Sequence, residues 1–180
     1  MDAKALATAA SSDRAGSQAG PGDVDPKLFA RWVDGSGTLK ELMGISDKEY
    51  AWMAVAGYTM YEMGNLGDAL QVYDFLSALD PSRSDIRSTL GGLYVQEGDY
   101  QAALQTLTLA IQQDPSDIYA WGNRAELLLR MGRLANAAED LRRVLALDPD
   151  NRHPMGRRGR KLVVLVKDAL DRMVASKQAS

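Results

Sequence analysis

Residues able to make or break bonds are few in this chain, and none stands beside a partner that would activate it. The one histidine, His153, falls in a loop, with no second histidine and no cysteine anywhere. Neither a transition-metal site nor a nucleophile paired with an imidazole base is therefore supported. Gly91-Gly92 lies within a helical pattern and lacks the lysine that a phosphate-cradling loop needs. Adjacent carboxylates such as Glu139-Asp140 fall on a helix exterior, where solvation is their usual role. No catalytic residue, metal ligand or cofactor is expected, and the chain is not read as an enzyme. The lack of cysteine excludes disulfides and agrees with a reducing compartment.

What the sequence does show is a repeat. Pro81, Pro115 and Pro149 are 34 residues apart, each in an Asp-Pro pair, and the same step relates Gly64, Gly98 and Gly132, and Ala69, Ala103 and Ala137. Each copy reads as a helix, a tight turn, a second helix and a stop. The glycines fit left-handed residues just past a helix end. The prolines lack an amide proton and push the preceding aspartate out of helical geometry. Small residues at Gly57, Gly91 and Ala125, with the three alanines, let the paired helices approach. Leu90, Tyr94, Leu104, Leu107 and Ile111 fill the middle copy, and Trp121, Leu128, Leu141 and Leu145 the third. Copy one is the least regular, with Met53, Ala56 and Met60 where larger residues are usual.

A 34-residue period with these markers resembles the tetratricopeptide repeat. The resemblance implies an all-α fold: a right-handed superhelix of three tetratricopeptide helix pairs (50–83, 84–117 and 118–151), with N-terminal helices and a C-terminal capping helix. It also implies a concave groove lined by the second, fifth, ninth, twelfth and thirteenth positions of each copy. From copy one these include Tyr58, Tyr61 and Glu62, beside Ala51 and Ala54; from copy two Ser88, Val95 and Gln96, beside Asp85 and Gly92. Copy three offers Tyr119, Glu126, Leu129 and Arg130, beside Gly122, with Asn123 next to them. Tyrosines at both ends would supply apolar pockets with a polar rim, and small residues between them would leave room for a bound chain. Relatives that grip an acidic carboxyl terminus use a clamp of lysine, arginine and asparagine; the corresponding places here hold Ala54, Tyr58, Thr89, Tyr119 and Asn123, so such a clamp is not expected.

The flanks differ in character. Residues 1–24, rich in alanine, serine and glycine, read as a disordered tail, too weakly apolar for a secretory signal, and no stretch approaches a membrane span. Residues 25–49 read as two short helices. Pro26 opens the first, which carries Leu28, Phe29, Trp32 and Val33; Leu39, Leu42 and Met43 lie on the second. Two readings fit them: a cap over the first repeat, or a homodimer surface centred on Phe29 and Trp32. Ser46-Asp47-Lys48-Glu49 reads as a capping box opening the first repeat. Residues 152–176 read as a basic capping helix whose apolar face comprises Leu162, Val163, Leu165, Val166, Leu170, Met173 and Val174, and 177–180 as a tail. Residues 152–180 hold eight Lys or Arg against two Asp, whereas the whole chain has net charge −3. Without interleaved aromatics, the run Arg157-Arg158-Gly159-Arg160-Lys161 reads as lying against the acidic body, and no nucleic-acid partner is expected.

A narrower resemblance covers about residues 36–151. Gly37-Thr38-Leu39, the Ile45-Ser46 step and three repeats with tyrosines in the first are similar to the class II chaperones of bacterial type III secretion. That likeness implies a cytoplasmic protein that holds a segment of a hydrophobic translocator in its groove before export, without inserting into the membrane. A general adaptor scaffold and a needle-subunit chaperone are the alternatives.

Overall fold

The computed structural model describes residues 24–178, with side chains as far as Arg172. The tail expected over 1–24 lies outside these residues apart from Val24. All regular structure among the described residues is helical. The chain divides into two units, one ending at Ile45 and the other beginning at Ser46.

In the first unit, α1 (Pro26–Val33) begins under an Asp25 cap that accepts from the amide of Lys27, and α2 (Leu39–Leu42) begins under a reciprocal Thr38–Glu41 capping box. The hairpin between them is held by polar clips: an Arg31–Glu41 ion pair at 3.1 Å and a hydrogen bond from Arg31 to the Ser36 carbonyl. Neither helix contains a buried residue.

The second unit is the repeat array. Its helices pair as α3 (Asp47–Glu62) with α4 (Leu66–Leu79), α5 (Ser84–Glu97) with α6 (Tyr100–Gln113), and α7 (Ile118–Arg130) with α8 (Leu134–Leu147), in a right-handed superhelix closed by α9 (Pro154–Gln178). Ser46 and Glu49 form the expected capping box at the start of α3. Gly64, Gly98 and Gly132 adopt φ of +85°, +90° and +72°, the left-handed region that lets each first helix stop and turn back. Each repeat ends through its aspartate. The carboxylates of Asp80 and Asp114 accept from the amide and hydroxyl of Ser82 and Ser116 two residues on. Those donors draw the Asp114 carboxyl below its ordinary range.

Packing within a pair is set by the small residue of the first helix. A Cβ on Gly91 would lie 2.5 Å from Leu107 Cγ, and one on Gly57 would lie 2.8 Å from Val72 and 3.0 Å from the Tyr73 ring. Ala69, Ala103, Ala125 and Ala137 are fully buried, as are Leu76, Leu107 and Leu141. Tyr50 is buried too; its hydroxyl donates to the Leu76 carbonyl at 2.9 Å, and burial pushes it up to about 12. The spacing continues past the third copy: Gly159 lies 34 residues beyond Ala125, and it packs back on Val144 and Leu141 of the preceding helix α8, whereas Gly57 and Gly91 pack on the helix that follows them. α9 is thus the first helix of a fourth copy whose second helix is missing among the described residues.

That position corrects the apolar face expected of α9. Met155, Gly156, Gly159 and Val166 are buried, with Leu162 and Val163 packed on the same core, but Leu165 is 60% exposed and Leu170 37%. Leu165 lies about a third of a turn away from the buried line of Gly159 and Val166, and Leu170 lies on that line one turn beyond Val166. α9 also extends to Gln178, into the stretch read as a tail.

Two glycine substitutions of opposite sign test the packing. Gly91→Ala must displace Leu107 and is expected to destabilise by about 1–3 kcal/mol. Gly67→Ala, with nothing within 4 Å in the first turn of α4, is expected to stabilise by about 0.5–1 kcal/mol. Urea unfolding followed by circular dichroism measures both.

Candidate functional site

The groove opens where the stack is loosest. α5 packs on α7 and α7 on α9, but α3 does not pack on α5 in the same way. The result is a hollow of about 430 Å3. Tyr58 and Tyr61 stand on one side of it, 50% and 36% exposed, with ring centroids 6.1 Å apart and a 46° tilt. Through the gap the ring of Tyr73, on the second helix α4, reaches the groove and donates its hydroxyl to the Ala54 carbonyl at 3.0 Å. Thr89, Gly92, Leu93, Val95 and Gln96 of α5 line the middle; Tyr119, Asn123 and Glu126 of α7, with Met155 and Arg158 of α9, line the far end.

The two ends differ in charge. Near α3 the Glu62 carboxylate accepts from Tyr58 and, by that hydrogen bond and its charge, raises the phenol above its ordinary range. At the far end Glu126 holds two guanidinium groups, Arg158 at 2.5 Å and Arg130 at 3.3 Å. Tyr119 packs edge-on against His153, centroids 4.8 Å apart, and Met155 sits so closely on Gly122 that a Cβ there would collide with its sulfur. Asn123 donates to the Ser88 carbonyl at 3.1 Å, tying α7 to α5.

Of the residues named from the sequence, Tyr58, Tyr61, Val95, Gln96, Tyr119, Asn123 and Glu126 come together around this hollow. Val95 contributes as part of the core, since it is only 3% exposed. Ser88 does not offer its side chain to the groove: it is buried, and its hydroxyl donates to the Asp85 carbonyl of its own helix. Leu129 packs against Ala125, Leu141 and Val166, and Glu62 and Arg130 act on the groove only through Tyr58 and Glu126. Sequence reasoning missed Tyr73, Met155 and Arg158. The signal for Tyr73 was present, because Leu107 and Leu141 stand 34 and 68 residues after it. For Met155 and Arg158 it was the unnoticed continuation of the repeat to Gly159. The basic run is largely taken up within the fold: Arg157 donates to the Arg152 carbonyl, Arg158 pairs with Glu126, and Arg160 binds the Asp148 and Pro149 carbonyls.

Comparisons with known proteins place this geometry. Two models described as tetratricopeptide repeat match residues 56–118 and 90–154, together more than half of the chain. A T3SS complex from Aeromonas hydrophila contains a chain with TM-score 0.70 and 22% identity, covering 82% of this chain and 99% of that one. The Yersinia enterocolitica type III secretion chaperone SycD, in complex with a peptide of the translocator YopD, gives TM-score 0.60 and 24% identity over 68% of this chain and 95% of that one. Among curated sequences, a TPR repeat-containing thioredoxin of Arabidopsis thaliana is 34% identical over 86 residues, 48% of this chain and 13% of the relative. The chain spans 13% and 25% of the first two curated relatives it matches. No described helix is long and apolar enough to cross a membrane.

One carboxylate fixes the far end of the groove. Asp148, 6% exposed, accepts from the amides of Arg152 and His153 and meets Arg160, thereby aiming the first turn of α9 at the groove. Burial alone would raise its pKa, but the two amides and the guanidinium outweigh it and hold the carboxyl below the ordinary value. A lowered folded-state pKa means that the stabilisation is complete above the unfolded value of about 4 and is lost as pH falls through the lower folded one. Asp148→Asn is expected to lower the melting temperature at pH 7 and to flatten its fall below about pH 4, as measured by thermal circular dichroism between pH 2 and 7.

Proposed function

The chain belongs to the tetratricopeptide-repeat family, and from that premise we propose that its groove holds an extended segment of another polypeptide, in the manner of a type III secretion translocator chaperone. The observation that carries this reading is the pair of half-exposed tyrosines, Tyr58 and Tyr61, over a hollow built from three successive first helices and α9. Large apolar groups left in contact with water around a concavity favour a partner that covers them. A translocator segment kept in the cytoplasm before membrane entry has the matching need. Each large side chain buried contributes roughly 1.5–3 kcal/mol, so three anchors, less the cost of ordering the segment, are enough for about micromolar binding. The solved SycD complex with a YopD peptide, a similar fold, supports a peptide as the occupant.

A general adaptor is the second reading, favoured by the curated relatives, in which repeat stretches like this one form part of longer proteins. A carboxylate clamp of the kind considered above gains no support, because the other places of the clamp hold Ala54, Tyr58, Thr89 and Tyr119, none of them a cation. Co-expression separates the two readings: a chaperone keeps a translocator soluble, and an adaptor leaves its solubility unchanged.

Replacing Tyr58 and Tyr61 together by alanine is expected to weaken binding of a translocator peptide about tenfold or more with helicity retained, by calorimetry and circular dichroism; unchanged affinity would remove the groove from the mechanism. The exposed rings of Phe29 and Trp32, 5.9 Å apart on a helix with no buried residue, are proposed as a homodimer contact. Phe29→Glu with Trp32→Glu is expected to shift the mass in sedimentation equilibrium from dimer to monomer; an unaltered mass would leave them a cap.

A further inference from the structure

We propose that the groove reads charge order as well as apolar shape, and that Arg158 is the residue that binds an acidic side chain of the client at the α7–α9 end. This rests on the peptide-binding reading above and adds the chemistry of the occupant. At that end one carboxylate, Glu126, lies between two guanidinium groups, so the cluster keeps a net positive charge. Glu126 is the enclosed partner, with its side chain 17% exposed, whereas Arg158 is 51% exposed and lines the hollow. A bound carboxylate can therefore meet Arg158 without breaking its pair with Glu126. Beside it, Met155 on Gly122 supplies an apolar floor.

The opposite end carries Glu62, hydrogen-bonded to Tyr58, and the polar groups lining the stretch between are the neutral side chains of Thr89, Gln96 and Asn123. The polarity thus runs from negative beside α3 to positive beside α9. A segment with apolar anchors followed by an acidic residue towards α9 meets complementary charge. The reverse order brings its carboxylate to the Tyr58 end, towards the negative charge of Glu62 behind that phenol, a repulsion that selects against the wrong register. The other arginines at the start of α9 do not compete for this role, because Arg157 and Arg160 bind backbone carbonyls of the turn before it.

The test is display selection of a random decapeptide library on the full chain, wild type and Arg158→Glu, followed by calorimetry on one enriched synthetic peptide, blocked at both ends. The wild type is expected to enrich apolar anchors flanked on one side by Asp or Glu, and Arg158→Glu to enrich Lys or Arg at that place. Changing the peptide's acidic residue to its amide should weaken wild-type binding about threefold to tenfold, an effect that shrinks at high salt and is absent in Arg158→Gln. If Arg158→Gln fails to fold, Glu126→Gln with Arg158→Gln removes the pair together and should show the same indifference. Enrichment of apolar anchors with no charged flank, or an equal loss in Arg158→Gln, would overturn the charge reading and leave the groove reading standing, provided Tyr58→Ala still weakens binding. No enrichment at all, or Tyr58→Ala binding like the wild type, would overturn both.

Discussion

How closely two antiparallel helices approach is decided in this chain at one position per copy. Gly57, Gly91 and Ala125 present a hydrogen atom or a single methyl group to the side chains of the next element, Gly159 does the same towards the preceding one, and the gap at Gly91 is too small for even one more carbon. Close approach buries leucines of α4, α6 and α8 in successive clusters between neighbouring helices, and burial of that surface is what holds the array together. The glycine turns and Asp-Pro exits set the length of each unit; they make stacking possible without supplying its energy. The groove is a by-product of the same geometry, since first helices that pair outward with second helices leave their inner faces side by side.

The groove is widest where that rule is relaxed. Leu107 and Leu141 fit entirely beneath their first helices, but the equivalent residue of copy one is Tyr73, whose ring is longer and whose hydroxyl needs a buried acceptor. The Ala54 carbonyl provides it, with the ring against Gly57 and its edge in the hollow. α3 accordingly stands off from α5 while the later first helices close up. Copy one looked merely irregular in the sequence, and its irregularity is the opening.

Much of the fold was legible in the residues because turn, stop and close-approach positions demand particular residue types at a fixed spacing. Gly64, Gly98, Gly132 and the three Asp-Pro pairs could be placed before any coordinate was known. The lining was less legible, because position in a repeat says which helix a residue is on but not how far that helix is rotated or displaced. Ser88 and Val95 occupy nominal groove positions, yet the close packing of α5 on α7 turns the first into its own helix and the second into the core. Tyr73 belongs to a second helix and was invisible to any rule that looks only at first helices. Leu165 and Leu170 were read as buried because an apolar residue on a capping helix is ordinarily turned inward; the packed line of α9 runs through Met155, Gly159 and Val166, with Leu165 about a third of a turn off it and Leu170 one turn beyond its last buried residue.

An array of this kind must end somewhere, and its ends are where repeat logic gives way to individual side chains. A capping helix with a fully polar outer face would be the plainest solution. Here α9 stands in the place of a further first helix and brings Met155 and Arg158 to the concave side. Met155 seals the space above Gly122, and Arg158 adds a second guanidinium to Glu126, a carboxylate of low exposure already paired with Arg130. Both depend on the turn between α8 and α9, where Asp148 gathers the amides of Arg152 and His153 and Arg160 caps the carbonyls of the departing helix. The helix that covers the third repeat is therefore also the far wall of the groove. A change in that turn would alter the binding surface without touching the tyrosines, which makes the two ends of the hollow separable by mutation.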